Sequence, residues 1–427
     1  MWRAIVFASS SRLDVCLLLK PKHATRMKTL MSINPIIPIV IEYNTYETVT
    51  AKDLGRLLSA LKQSDRIRGI ELTGYTDELD KFFRATKRPF PALESLVLRN
   101  EDDQALKIPS TFLKGTDLRL RLRSLKLHPI SLTFFPQIRS FATALTDLSL
   151  KIDSHDQVPD LLLLLSQLQG LRYLRSLYLE IICFMDCLGQ LTEPEESFPL
   201  TKLTSFHYYG HGAFLDILVM GFEAPSLQDV DIYLYDQTPT LPPIPHLCQV
   251  INDVQEHYHA TQIVLERDHF NFSLLARSEG VGHNPPHFRL RSSSFLNLNV
   301  QNWIMELTSI SSAKLPTMEE LHIIFRREMD AEEEVIPWRT ILEQFPSVKE
   351  FRIQGMDTRQ IASALQQHHG GPKLSVLPAL ERIGIYEDPV LDRFSELAVF
   401  QPFVSARQQA GRQVQVTCFP LSRSIFS

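Results

Sequence analysis

Apolar residues three and then two positions apart recur along this chain. The clearest copy is Leu171–Glu180, LRYLRSLYLE, whose second half reads Leu174-x-x-Leu177-x-Leu179. Side chains in a strand alternate between faces, so Leu177 and Leu179 point one way and Tyr178 the other. Leu174 precedes the strand, where the chain turns in and drops a third apolar residue into the same core. The spacing returns at Leu93–Leu98, Leu122–Leu127 and Leu145–Leu150, and in looser form at Leu203–Tyr208, Leu227–Ile232, Met318–Ile323, Val348–Ile353 and Leu380–Ile385. The last apolar positions of the first six copies are 29, 23, 29, 29 and 24 residues apart, and those of the last three are 30 and 32 apart. One such unit cannot bury its own apolar face, so each needs a similar unit on either side.

Helical periodicity fills the intervals. Asp53–Gln63, Asp160–Leu168, Val300–Ile310, Val335–Glu343 and Thr358–Gln367 each place apolar residues at helical spacing. Residues 1–35 also read as helical. Ile36–Ile41, β-branched with a proline, predicts an edge or first strand, and Arg66–Leu72 the next. Pro91, Pro225, Pro316, Pro346 and Pro378 stand before repeat strands and separate them from the preceding helix. The gap from Ile232 to Ile323 predicts two degenerate strands, Ala260–Leu265 and Phe295–Val300; Val414–Val416 closes the series. Thr238–His246 and Ser278–Pro286 read as irregular loops, and Glu328–Glu334 as an acidic loop or helix start. Strands alternating with helices predict an α/β chain wound in one sense, with parallel strands inside and helices outside. The expected division is a helical lead-in over 1–35, a solenoid over 36–420 with an irregular insert at about 236–300, and a tail over 421–427.

Composition narrows the function. A chain of 427 residues with 44% hydrophobic and 22% charged residues can bury a large core and is not of a disordered class. Its net charge of -5 gives no global pull toward nucleic acid or an anionic membrane. The densest apolar run, Leu161–Leu165, falls far short of the roughly 18 residues that a membrane span needs. Five cysteines, few and odd in number, suit free thiols in a reducing compartment, so the expected location is cytoplasmic or nuclear.

Candidate chemistry is thin. Cys183 and Cys187 lie one helical turn apart, but no second pair completes a zinc set. His246, His257, His259 and His269 form a loose group without diagnostic spacing. His207–Gly212, HYYGHG, fits a tight turn as well as an active-site loop. Nucleophile-elbow and phosphate-loop motifs do not occur. The expectation is therefore a non-enzyme without metal or cofactor; the competing reading is a hydrolase or metal enzyme centred on 233–300. Arg119, Arg121, Arg123 and Lys126 alternate with leucines and form a basic strip, a solvated face or a dock for an acidic partner. The outward positions of the repeat strands are the candidate partner-binding residues: Arg99, Arg123, Lys126, Arg175, Tyr178, Glu180, His207, Tyr209, Asp231, Tyr233, Arg352 and Tyr386. Tyrosine and arginine are the types that most often anchor interfaces.

The repeats resemble leucine-rich repeats over roughly residues 64–416. With the Trp2–Asp14 segment, WRAIVFASSSRLD, and the Ile36–Ile41 strand ahead of them, the chain resembles the F-box/leucine-rich-repeat proteins of mushroom-forming fungi. The resemblance implies an irregular, horseshoe-like leucine-rich-repeat solenoid of about eleven to thirteen repeats. It also implies the substrate-receptor part of an SCF-type ubiquitin ligase, a monomer outside its complex, with a protein ligand on the inner sheet face. Most of an F-box is missing, so the Skp adaptor is a partner only if that module lies upstream; a ligase-independent scaffold is the alternative. The asparagine usual after each repeat strand is also absent, its place taken by Glu101, Ile130, Asp153, His211 and Tyr235.

Overall fold

Six of the repeat strands are preceded by the same turn. In a computed structural model, the amide of the first apolar residue of a rung bonds the carbonyl three residues back: Leu93 to Phe90, Leu174 to Leu171, Leu203 to Leu200, Leu227 to Ala224, Val348 to Phe345 and Leu380 to Leu377, at 3.0–3.4 Å. Pro91, Pro225, Pro346 and Pro378 occupy the second position of four of these turns, where a fixed φ is already right. The prolines thus build the turn as well as ending the preceding element.

The structure describes residues 17–19, 37–46, 50–86, 88–102, 106, 108–109, 112, 121–130, 144–154, 160–183, 192–235, 262–267, 271–277, 287–293, 319–325, 338–354, 358–366, 376–387 and 393–420. They fall into two compact units: residues 1–209 with 220–227, and residues 210–219 with 228–427.

The strands of unit 1 are β1 (Leu17–Leu19), β2 (Ile39–Asn44), β3 (Ile67–Gly74), β4 (Ser95–Asn100), β5 (Ser124–Ile130), β6 (Asp147–Ser154), β7 (Ser176–Cys183), β8 (Phe198–Pro199), β9 (Ser205–Gly210) and β10 (Phe222–Glu223). β1 to β7 pair in parallel in chain order, and β9 lies next to β7. Leu98, Leu127, Leu150 and Leu179 are direct neighbours across four strands, as are Leu96, Leu125, Leu148 and Leu177. All eight are buried. The β5–β6 register shifts between Leu127 and Ile130, where Pro129 cannot donate to a ladder; a bulge absorbs the proline. β8 and β10 form a separate parallel pair.

A second regularity lies at the strand starts. One carbonyl of the preceding rung accepts two successive amides: Glu94 from Arg123 and Ser124, Arg123 from Thr146 and Asp147, Thr146 from Arg175 and Ser176, and Arg175 from Thr204 and Ser205, all at 2.7–3.0 Å. Buried backbone groups need partners, and this forked bond supplies them at each step. The helices are α1 (Ala51–Ala60), α2 (Thr76–Ala85) and α3 (Leu161–Leu168); α4 (Gly212–Gly221) falls largely in unit 2. α2 buries Leu79, Phe82 and Phe83, with the Phe82 ring 5.0 Å from that of Tyr43 on β2. The first helical amide, Thr76, donates to Asp102 Oδ2 at 2.7 Å, so a residue beyond the next strand caps this helix. Asp160 caps α3 through the Leu163 amide.

Unit 2 holds β11 (Asp229–Tyr235), β12 (Gln262–Arg267), β13 (Asn271–Arg277), β14 (His287–Ser293), β15 (Glu320–Phe325), β16 (Glu350–Gln354), β17 (Arg382–Glu387) and β18 (Gln415–Pro420), with α5 (Trp338–Leu342), α6 (Thr358–Gln366) and α7 (Arg393–Gln409). Its strand order is β11-β14-β13-β12-β15-β16-β17-β18. β15 to β18 again pair in parallel and in chain order, with Leu321, Phe351, Ile383 and Val416 in one row and Ile323, Ile353, Ile385 and Cys418 in the next. The forked bond recurs: Glu319 O accepts from Lys349 and Glu350, and Lys349 O from Glu381 and Arg382.

Several sequence expectations are corrected. β13 runs antiparallel between β12 and β14, so the all-parallel expectation fails there. Only three residues separate β12 from β13, too few for the crossover that a parallel connection requires. Leu17–Leu19 is a strand paired with β2, not part of a helical lead-in, and β2 is therefore flanked on both sides. Cys183 is the last residue of strand β7. Trp2–Asp14, Arg119, Cys187, Thr238–His246, His257, His259, His269, Ser278–Pro286, Phe295–Ile310 and Glu328–Glu334 lie outside the described residues. Among the described residues, no helix is long and apolar enough to cross a membrane.

Candidate functional site: the polar face of the rungs

Where leucines fill one face of β4 to β7, the alternating positions make the other. Two rows cross it. Val97, Lys126, Ser149 and Tyr178 are register neighbours in the first. In the second, Arg99 faces His128, and Lys151 faces Glu180 beyond the β5 bulge. Arg99 and Lys126 are exposed, whereas Val97 is buried. Arg123 and Arg175, one residue before β5 and β7, are exposed at the strand-start edge.

The half-buried members of this face hold one another. The His128 and Tyr178 rings stack with centroids 6.0 Å apart and planes 11° apart. His128 Nε2 is 2.7 Å from Ser149 Oγ. Tyr178 OH donates to Glu180 Oε2 at 3.1 Å, and Lys151 Nζ lies 2.7 Å from Glu180 Oε1. Burial pushes the His128 imidazole down to about 4; Glu180 pulls it upward, while Arg99, Lys151 and Lys126 add to the depression. The ring is therefore neutral near pH 7. On β9, His207 Nε2 lies 2.8 Å from Ser205 Oγ, and Tyr209 is half-buried.

Unit 2 carries its own cluster. Glu350 at the start of β16 has a side chain 9% exposed and binds two guanidinium groups: Arg352 Nε at 2.5 Å, and Arg382 through Nε at 3.0 Å and Nη2 at 2.5 Å. Burial alone would raise the Glu350 carboxyl, but the hydrogen bonds from Arg352 and Arg382 prevail and hold it below its usual value. Arg352 Nη1 reaches Tyr386 OH at 3.4 Å, and the Tyr386 ring stacks on Phe419 at 5.4 Å. A Cβ on Gly384 would come within 3.0 Å of the Phe419 ring and 3.2 Å of the Arg352 stem, so glycine lets these side chains cross the strand. Burial depresses His322, with Glu320 3.6 Å away opposing that effect.

Of the sequence candidates, Arg99, Lys126, Tyr178 and Glu180 thus surround His128 on one face of unit 1. Arg352 and Tyr386 meet in unit 2. Asp231 and Tyr233, half-buried on β11, stand five strand spacings from β16, roughly 24 Å, because β14, β13 and β12 intervene before β15. His128, Ser149, Lys151 and Glu350 also stand at outward strand positions of the repeat pattern, but only the strand register shows which of these positions converge. Among the described residues, no group of three or more histidine, cysteine or acidic side chains could hold a metal ion. No family model matches the chain, and no curated protein matches it.

Proposed function

We propose that the chain is a non-catalytic protein-recognition module, built as an irregular leucine-rich-repeat solenoid and acting as the substrate receptor of an SCF-type ubiquitin ligase. The observation that carries the recognition reading is the two-row face of β4 to β7. Its buried leucines are in register on one side, and its aromatic, basic and acidic side chains are fixed against one another on the other. A pre-ordered array of this kind binds a partner with less loss of side-chain freedom. The Ser149–His128 pair does not favour a catalytic reading, because an imidazole held near 4 is a weak general base at neutral pH. The ligase role rests on the resemblance of the repeats and of the Trp2–Asp14 segment.

The test has two arms. Partners captured on the full chain are titrated against wild type and the double variant Arg175→Ala/Tyr178→Ala; a tenfold or greater loss of affinity with an unchanged circular dichroism spectrum is expected, and unchanged affinity would sink the inner-face reading. Co-purification with a Skp adaptor tests the ligase role separately. Recognition without the adaptor points to a ligase-independent scaffold.

A further inference from the structure

The turns that lead into β5, β6, β7 and β9 form one edge of unit 1, and its charge is one-sided. Among the described residues it carries Arg121 and Arg123 before β5, Arg172 and Arg175 before β7, and Lys202 before β9, all exposed. The one carboxylate among them is Asp147, the first residue of β6. None of the four arginine side chains enters an ion pair among the described residues. On the polar face, by contrast, Asp147, Asp153 and Glu180 balance Arg99, Lys126 and Lys151. The strip is closed at both ends. Toward β4, Glu94 is bound by Arg68 at 2.7 Å. Beyond Lys202 stand the exposed Glu195, Glu196 and Glu223, the last accepting from Ser197 Oγ at 2.9 Å.

Between the two arginine-bearing rungs lies a low one. The turn before β6 presents Ala144 and Thr146, both half-buried. The Thr146 hydroxyl is engaged by the Arg123 carbonyl at 3.0 Å and by Asp147 Oδ2 at 2.6 Å. The forked backbone bonds run from Glu94 through Arg123, Thr146 and Arg175 to Thr204, and they fix the chain beneath the arginines. A shallow trough results, with Arg121 and Arg123 on one side and Arg172 and Arg175 on the other. Two strand spacings separate its sides, roughly 10 Å, about the width of one extended chain with its side chains. Tyr173, 61% exposed, stands in the β7 wall.

We propose that this trough holds an extended, Asp- or Glu-bearing segment of a partner protein, with the arginines of both walls receiving its carboxylates and Tyr173 supplying an apolar contact. The proposal rests on the recognition reading and adds a second contact surface, at the turn edge, with its chemistry. Charge complementarity selects the occupant: four arginines face one carboxylate, and opposite charge recruits and orients an anionic ligand. Arginine also suits the task by shape, because its planar fork matches a carboxylate. An exposed tyrosine beside arginines is the residue mixture that most often anchors an interface. Nucleic acid asks for a longer basic track along many phosphates, whereas carboxylates close this strip at both ends.

The experiment uses the full chain and three fluorescein-labelled probes at physiological salt: a twelve-residue peptide of alternating Glu and Ser, its Lys-Ser counterpart, and a twelve-nucleotide single strand. Anisotropy titrations compare wild type with Arg123→Glu/Arg172→Glu, one arginine from each wall. Arg99→Glu/Lys126→Glu is the control, because it changes the net charge equally on the balanced polar face. All four residues are exposed, and circular dichroism checks folding; should either reversal misfold, the matching pair of glutamine substitutions replaces it. The expected result is Glu-Ser binding that weakens with added salt, falls at least tenfold in the trough variant (threefold with glutamine) and stays within twofold in the control. Equal losses in both variants, no loss in the trough variant, no Glu-Ser binding, or tighter binding of either other probe overturns the proposal. The recognition reading fails separately. A captured partner that responds to Tyr178→Ala but not to Arg123→Glu/Arg172→Glu leaves that reading standing and removes the trough, whereas indifference to Arg175→Ala/Tyr178→Ala counts against the reading itself.

Discussion

His128 and Tyr178 stack across an intervening strand. Their centroids lie 6.0 Å apart although β6 runs between β5 and β7, because Ser149 on β6 presents only a hydroxyl and turns it to His128 Nε2. Burial disfavours the charged ring: His128 is depressed from 6.5 to about 4 in the folded chain. Between those values the unfolded chain binds more protons than the folded one, so stability rises with pH through that window. Stability due to this group is therefore complete above about 6.5 and is lost as pH falls toward about 4. Discounted for the ring's remaining exposure, the loss should be about 1–2 kcal/mol. Urea melts between pH 8 and pH 4 should show it, and His128→Phe, which stacks but does not titrate, should flatten that part of the profile. An identical slope in the variant would refute the assignment.

Glu350 poses the opposite case, a nearly buried carboxylate held by two arginines from β16 and β17. Removing its charge leaves Arg352 and Arg382 without the carboxylate that both bind directly, with Glu320 acting on them only at longer range. Glu350→Gln should cost about 1–3 kcal/mol, less than for a fully buried pair because both guanidinium groups reach solvent. The double variant Glu350→Leu/Arg382→Leu should recover part of that loss, since it removes the unpaired charge as well. Chemical denaturation of the two variants measures the difference; equal destabilisation would show that the pair is not coupled.

Much of this fold is legible in the sequence because leucine spacing reports both face and register. The row Leu98, Leu127, Leu150, Leu179 follows directly from it. The proline turns were half legible: their positions were visible, but not that Phe90, Ala224, Phe345 and Leu377 close a hydrogen-bonded turn. β13 was hidden because period-2 apolar alternation carries no direction. Of the candidate site, the exposed members could be read off as alternating positions, whereas partnerships could not. Glu350 and Arg382 are 32 residues apart, and His128 and Tyr178 are separated by a whole rung, so their meeting depends on strand order.

Gly221 packs closely against Leu165 of α3. A Cβ there would lie 2.5 Å from Leu165 Cδ2 and 2.6 Å from Cδ1, and Leu165 is itself buried. Leu165 would have to leave its rotamer or the backbone at Gly221 would have to shift. Overpacking of this kind costs typically about 1–3 kcal/mol. Gly221→Ala should lower the melting temperature, and Gly221→Ala with Leu165→Ala should lose less than the sum of the single changes. Additivity would mean that the two residues do not compete for the same space.

Arg407 is the largest fully buried side chain among the described residues, yet it faces no carboxylate. From α7 its guanidinium donates to the carbonyls of Val376 at 2.9 Å, Leu377 at 2.6 Å and Pro378 at 3.2 Å, and it lies 5.1 Å from the Phe403 ring centre. Those carbonyls belong to the turn before β17, where Leu377 takes a φ of 47° that a leucine rarely adopts. The arginine holds that strained turn in place. Its guanidinium is depressed, chiefly by burial and further by Arg412, but the intrinsic value is so high that it stays charged. Arg407→Met keeps the stem and removes every donor, so three carbonyls lose a partner in the interior. The expected cost is about 2–4 kcal/mol. Arg407→Lys should not restore it, because one ammonium cannot match the planar fork. Leu377→Gly, which relieves the strain at that φ, should soften the effect of Arg407→Met when the two are combined. Denaturation midpoints for the three variants decide the matter: a full rescue by lysine would mean that charge alone, not the fork, secures the turn.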